Sequence, residues 1–321
     1  MLSFPFPEPP PPGEWHEVAP GLLWARLPLP FRLDHVNIYA IADGDGWVLF
    51  DTGIADDTTR ALWDRLLPAL GPVQALIVSH NDPDHIGLAG WLCDRLDVPL
   101  WTSRASFLSA TALVRAPALM EAADHTRFYT RHGLGPEVVA LLAARGHRYR
   151  RLLSDPPPRY RRLAAGMVLR LGGRDWTVLT GEGHAPEQVM LHAPADRLLL
   201  AADQILEQIS PNVSVSALEP EGDPLGDYLA CLRGWRRGRM AAPSCWRGTG
   251  APSSGWPNGP PRCTPIMRRA AISSSGPVQR RRAAQPICFP CCFRRRSMPI
   301  RRLLPSARRW PMSTASWRKG A

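Results

Sequence analysis

The heptapeptide Ser79-His80-Asn81-Asp82-Pro83-Asp84-His85 constrains this chain more than any other stretch. It follows the apolar run 73–78 and precedes Ile86-Gly87-Leu88-Ala89-Gly90, an order that reads strand, sharp loop, helix. A loop at the C-terminal end of a strand is where α/β architectures carry chemistry. Four potential metal ligands, His80, Asp82, Asp84 and His85, fall within this loop. Imidazole and carboxylate together suit a borderline divalent cation, with zinc, iron and manganese all open. Taken alone, an Asn-Asp-Pro-Asp string is equally a turn. The metal reading therefore leans on further ligand candidates downstream.

Length allows one large domain or two modest ones, but the chain is made of two different materials. Residues 1–227 hold 28 acidic and 19 basic side chains. Residues 228–321 hold no Asp or Glu and 20 Lys or Arg, and the last histidine of the chain is His192. Six of the seven cysteines also lie in this second part. The first part reads as an acidic cytoplasmic enzyme. Its one cysteine, Cys93, falls in an expected helix and reads as a small core hydrophobe rather than a nucleophile. The Pro-rich start has no basic region followed by an apolar one, so no secretory signal is expected. No apolar run approaches the roughly 20 residues that span a bilayer, so no membrane partner is expected.

Short runs with strand composition occupy 22–27, 36–41 and 47–50, with Asp43-Gly44-Asp45-Gly46 as a hairpin turn between the last two. A helix is expected next, capped by Asp57 or Thr58, with Ala61, Leu62, Leu66 and Leu67 on its apolar face and Gly71 at its end. After the ligand loop, 87–96 read as helix and 98–101 as strand. Residues 103–146 are rich in helix formers, broken near Pro117 and Gly133, and read as helices inserted between two sheet-forming halves. Short strands return at 167–171, 176–179, 188–192 and 198–200.

Two of these later strands end in further ligand candidates. His184 lies in Gly181-Glu182-Gly183-His184-Ala185-Pro186, and Asp203 lies in Ala201-Ala202-Asp203. Alone, His184 would be a surface-loop histidine and Asp203 a helix cap. Together, three strand ends present three imidazoles and three carboxylates, enough for two adjacent metals.

Several elements in one order carry a resemblance over roughly residues 22–215. They are the Asp51-Thr52-Gly53 turn, the His80-x-Asp82-x-Asp84-His85 loop, Gly183-His184-Ala185-Pro186, and Asp203. In these the chain resembles the metallo-β-lactamase superfamily of hydrolases. The resemblance implies an α+β fold: a four-layer αββα sandwich with a dinuclear metal site on one edge. The domain would span 1–235, with a helical insertion at about 103–150. His80, Asp82 and His184 would bind the first metal, Asp84 and His85 the second, and Asp203 would bridge. The implied cofactors are two divalent ions, zinc first. The implied activity is hydrolysis of a small ester, thioester, lactone or phosphoester. The metals would activate a water and polarise the scissile oxygen, and Asp84, a ligand beside that water, would orient it and relay its proton.

Two departures qualify this. The second histidine of the family motif is Asp82 here, and a harder, anionic ligand favours iron or manganese more than histidine does. Related branches, including the di-iron flavodiiron proteins, also place a carboxylate there, but their flavodoxin module is not evident in this sequence. The family's final histidine ligand, expected beyond Asp203, has no candidate. A metal-binding relative with impaired catalysis is therefore the alternative.

Three readings compete for residues 236–321. A basic tail would attract phosphates and is the one route to nucleic-acid binding. A cysteine module is weakly supported, because Cys288-x-x-Cys291-Cys292 lacks a spaced second pair. The third reading is an out-of-frame segment. In a GC-rich gene, a one-base shift turns Leu-Ala into Trp-Pro, and Trp256-Pro257 and Trp310-Pro311 are such pairs. On any reading the segment lacks the pattern of a packed core and is expected to be mostly disordered.

Overall fold

Alternating apolar side chains in 16–50 build a four-stranded meander. Strands β1 (His16–Ala19), β2 (Leu22–Pro28), β3 (His35–Asp43) and β4 (Gly46–Phe50) pair antiparallel, and the tight turn after Asp43 sets it opposite Gly46. Strands β5 (Val73–Ile77), β6 (Leu100–Thr102) and β7 (Arg161–Arg162) continue the same sheet in parallel. The computed structural model describes residues 6, 8–116, 123–143, 149–206 and 209–236. Residues 237–321, with every reading made for them above, lie outside the described residues.

Parallel pairing needs crossovers, and helices supply them. Helix α1 (Asp57–Leu66) joins β4 to β5. Its cap is Asp56, not Asp57 or Thr58: the Asp56 carboxylate accepts the Thr59 N–H at 2.7 Å. The one-turn α2 (Pro83–Ile86) and α3 (Ala89–Leu96) join β5 to β6; α3 is the helix expected over 87–96, and α2 is a separate turn that precedes it. Pro83 at the first position of α2 starts that early turn. Helices α4 (Arg104–Arg115), α5 (Ala123–Arg131) and α6 (Pro136–Ala143) lie between β6 and β7. Trp63, Leu66, Leu92 and Phe107 from the helical side bury against Ile38, Leu49 and Leu76 of the sheet. Cys93 belongs to this core, and burial pushes its thiol up to about 12.

The second sheet is β8 (Val168–Leu171), β9 (Arg174–Gly181), β10 (Gln188–Ala193) and β11 (Leu198–Leu200), all antiparallel. Trp24, Phe50 and Ile77 of the first sheet meet Trp176, Val178, Val189 and Leu191 of the second in one core. Each large side chain buried there contributes about 1.5–3 kcal/mol. Helix α7 (Pro224–Arg236) covers the outer face, with Trp235 against Leu179, Met190 and Leu199. The layers therefore run helix, sheet, sheet, helix, as the four-layer expectation required.

Strand directions place the chemistry. β4 and β5 are parallel, so Asp51 and Ser79 emerge side by side. β9 and β11 both run antiparallel to β10, so Gly181 and Ala201 also leave their sheet on one side. A backbone hydrogen bond from Val189 N–H to the Ser79 carbonyl, 2.7 Å, joins the two sheets at this edge.

Candidate metal centre

All six ligand candidates converge at this edge. Nε2 of His80 and Nε2 of His184 stand 3.2 Å apart. Asp82 Oδ2 lies 3.7 Å from the first and 3.5 Å from the second. On the other side, His85 Nε2 lies 3.4 Å from both Asp84 Oδ2 and Asp203 Oδ1. Asp203 divides its oxygens between the halves, because its Oδ2 is 3.7 Å from His184 Nε2.

Each imidazole is turned by a partner on its far nitrogen. Nδ1–H of His85 donates to Asp51 Oδ2 at 2.8 Å, that of His80 to Ser79 Oγ at 2.9 Å, and that of His184 to the Asn212 carbonyl at 2.8 Å. These bonds hold each Nδ1 and turn all three Nε2 atoms toward the centre. Two features then fit a cation. The lone pairs of His80 and His184 oppose each other at contact distance. His85 Nε2 is buried with no hydrogen-bond partner. Unpaired buried polar atoms cost about 1–3 kcal/mol, and a cation between these donors would relieve both.

The charges respond to one another. Burial raises the Asp82 carboxyl, but the bond to His80 and the neighbouring imidazoles outweigh it and hold it at about 2. Asp203 is likewise depressed: burial opposes this, and His85, His80 and His184 overcome it. His85 moves up, because Asp84, Asp203 and Asp51 together outweigh its burial. Asp82 begins α2 without capping it, which frees its carboxylate for the histidines.

The supporting turn is built from Asp51-Thr52-Gly53. Asp51 is buried in a left-handed conformation (φ 65°), a cost of about 1–2 kcal/mol for a side chain of its kind. Its Oδ1 accepts the Ser79 N–H at 2.7 Å and its Oδ2 the Ser79 hydroxyl at 2.9 Å. Thr52 Oγ1 donates to the His85 carbonyl at 2.8 Å, and Gly53 N–H donates to the Asp84 carbonyl at 3.1 Å. Gly53 has φ 79°, and a Cβ there would meet Leu27 at 2.7 Å and Thr59 at 2.8 Å. Opposite, Gly183 has φ 97°, and a Cβ would meet the Pro224 carbonyl at 2.4 Å. Helix α7 therefore backs the His184 loop directly.

Sequence reasoning locates the ligand loops but misses their supports. Asp51 stands out there only as part of a turn. The 210–214 segment holds His184 through the Asn212 carbonyl. Tyr149 carries no sequence signal at all, yet its hydroxyl donates to the Asn81 carbonyl inside the ligand loop. In the inserted helices, Arg127 is exposed and paired with Asp124 at 2.6 Å.

A cavity of about 40 Å³ opens beside Asp84, His85 and Asp203. Leu33, Val36, Phe50, Ile205 and Leu206 supply its apolar wall, and His35, Asn37 and Tyr39 its polar one. The His35 ring is buried, with Nδ1–H donating to Asp34 at 2.5 Å and Nε2 without a partner. Burial lowers its pKa, and the Asp34 hydrogen bond only partly offsets this.

The chain is similar to several known proteins. A beta-lactamase domain protein from Burkholderia ambifaria is 40% identical, with a TM-score of 0.66 over 73% of this chain and 69% of that one. The metallo-beta-lactamase family protein TTHA1429 from Thermus thermophilus is 27% identical, with a TM-score of 0.60 over 68% of this chain and 71% of that one. The probable metallo-hydrolase YqjP of Bacillus subtilis (strain 168) is 27% identical over 220 residues, and the match spans 65% of each chain's length. The model of the metallo-beta-lactamase superfamily matches residues 31–237. With this match and the four-layer fold around His80, His184 and Asp203, the chain belongs to the metallo-beta-lactamase superfamily.

Proposed function

We propose that this protein is a metal-dependent hydrolase of a small ester, thioester, lactone or phosphoester. The observation that carries this is Asp203, which shares one carboxylate between the His80–Asp82–His184 donors and the Asp84–His85 donors. That arrangement suits two divalent cations, zinc first, with Asp82 making iron or manganese competitive. Bound there, they would supply Lewis acidity and a water acidified toward neutral pH. The chain's own groups do the rest. His80, His85 and His184 would present Nε2 to the cations, because each Nδ1–H is tied elsewhere, and a cation would displace the proton that Asp84, Asp203 and Asp51 favour on His85. Asp84 faces the cavity and is placed to hold the proton released by the attacking water. The apolar wall of Leu33, Val36 and Phe50 excludes bulk water and accepts a short acyl or alkyl group.

The test is a panel of short acyl thioesters, lactones and phosphodiesters with the zinc-, manganese- and iron-loaded protein. Turnover of one class should fall at least ~100-fold in Asp84→Ala. Equal rates in the variant would remove the mechanism. One observation favours a second reading, a metal-binding protein without turnover: among the described residues the Asp84–His85 half has fewer donors than the other. Metal content separates the two, since a hydrolase of this type should hold about two ions per chain.

A further inference from the structure

The two halves of the metal centre are unequal. Among the described residues, His80, Asp82 and His184 face Asp203 on one side, and only Asp84 and His85 face it on the other. No histidine follows His192 to make up the difference. The helix that backs the centre, α7, is sound as far as Trp235, which packs on the second sheet. The superfamily match stops at residue 237. The last acidic residue of the chain is Asp227.

We infer that the chain beyond about residue 236 is read one base out of phase with the gene that evolved, and that the abandoned phase encodes the imidazole missing from the Asp84–His85–Asp203 half. The role given to that imidazole rests on the metal-site reading above; the phase shift does not.

The genetic code tests this on the amino-acid sequence itself. In the offset phase, each codon joins the third base of one codon to the first two of the next. Trp and Cys codons both begin TG, so the offset codon is NTG, which is Leu, Met or Val whatever the third base. Residues 237–321 contain four Trp and five Cys, and all nine become aliphatic or Met. At Cys245-Trp246 and Cys291-Cys292 the offset residue is Leu without choice. At Trp256-Pro257 and Trp310-Pro311 it is GCC, alanine, without choice. Ile287-Cys288-Phe289-Pro290-Cys291-Cys292-Phe293 becomes Leu or Met, Leu or Phe, Ser or Pro, an aliphatic residue or Met, Leu, and Leu or Phe. That is core material. A segment without periodicity in its own phase thus carries Leu, Ala and other apolar residues at these positions in the other.

The junction of Gly248 and Thr249 supplies the ligand. GGN followed by ACN gives NAC, which is His, Asp, Asn or Tyr. The chain has 38 Arg and one Lys, the mark of a gene rich in G and C, which narrows N to C or G and the residue to His or Asp. The same bias gives Gly or Arg at the junctions on either side, Arg247-Gly248 and Thr249-Gly250. The junctions Ser244-Cys245 and Cys245-Trp246 give an aliphatic residue or Met and then Leu. With Gly and His chosen at these junctions, an apolar pair, one more residue and then Gly-His repeat, at shorter spacing, the order by which Val178-Leu179 leads to Gly183-His184. A single lost base near codon 236 accounts for the whole change.

Sequencing the gene decides the phase shift independently of folding. An offset phase open through codon 321, with a His codon at the Gly248–Thr249 junction, is the expected result. A stop codon in that phase, or any other residue at that junction, overturns the inference. The role of the imidazole is tested on two proteins: the full chain as it exists, and the full chain with one base restored near codon 236. Both are loaded with zinc, and metal is measured by elemental analysis and competition with a chromophoric chelator. The existing chain should bind its second zinc at least ~10-fold more weakly than the restored one. Equal second-site affinity overturns the role assigned to the imidazole. Neither result touches the hydrolase reading, which the substrate panel tests.

Discussion

Asp51 Oδ2 stands 2.8 Å from Nδ1 of His85, and both side chains are almost fully buried. The carboxylate receives the ring N–H and so turns the opposite nitrogen toward the metal side. Asp51→Asn keeps the shape and removes the anion. Metal affinity should fall about 10–100-fold, read by competition with a chelator of known strength. Unchanged affinity would mean that the pair only packs.

Asp82 is the carboxylate where the superfamily motif has a histidine, and its side chain is 41% exposed, so a larger ring has room. Asp82→His should shift preference from manganese toward zinc by about 10-fold, because it exchanges a hard anionic donor for an imidazole. Competitive loading with both metals, followed by elemental analysis, measures the ratio. A ratio that does not move would show that Asp82 is not a ligand.

Trp63 is fully buried, and its Nε1–H donates to the Thr52 carbonyl at 2.8 Å. It therefore supports both the core and the turn that holds His85. Trp63→Ala should cost about 3–5 kcal/mol in urea unfolding, while Trp63→Phe should lose less and isolate the hydrogen bond. A loss below about 1 kcal/mol in Trp63→Ala would contradict the packing described.

His192 lies half-buried on β10, and burial holds its pKa below the ordinary 6.5. Folding thus favours the neutral ring. Its contribution is complete above pH 6.5, the unfolded value, and is lost as pH falls through 6.5 toward the lower folded value. His192→Gln cannot titrate, so the difference in Tm between it and the parent should change in the variant's favour from about pH 8 to about pH 5. A pH-independent difference would refute the assignment.

The ligand loops were legible because each sits at a strand end and carries its chemistry in a few contiguous residues, as in His80 to His85. The alternation in 22–50 likewise announced the meander. Asp51 was less legible: the character of its site comes from a left-handed backbone and from Ser79, 28 positions away. Asn212 was illegible in principle, since it contributes a carbonyl, which every residue possesses. The short β1 and the two-residue β7 exist through pairing with β2 and β6 rather than through any pattern of their own. The separate turn before α3 rests on Pro83, whose place in the first helical turn only the fold reveals.

His80 follows a strand of the first sheet and His184 a strand of the second, 104 positions later, yet their rings meet at 3.2 Å. An ion gripping both would act as a rivet between two leaves otherwise joined by side-chain packing and a few hydrogen bonds. Its effect would be felt in lifetime as much as in equilibrium. With the rivet removed by a chelator, the leaves should part more often, and a protease should find the 103–160 span sooner than in the loaded protein.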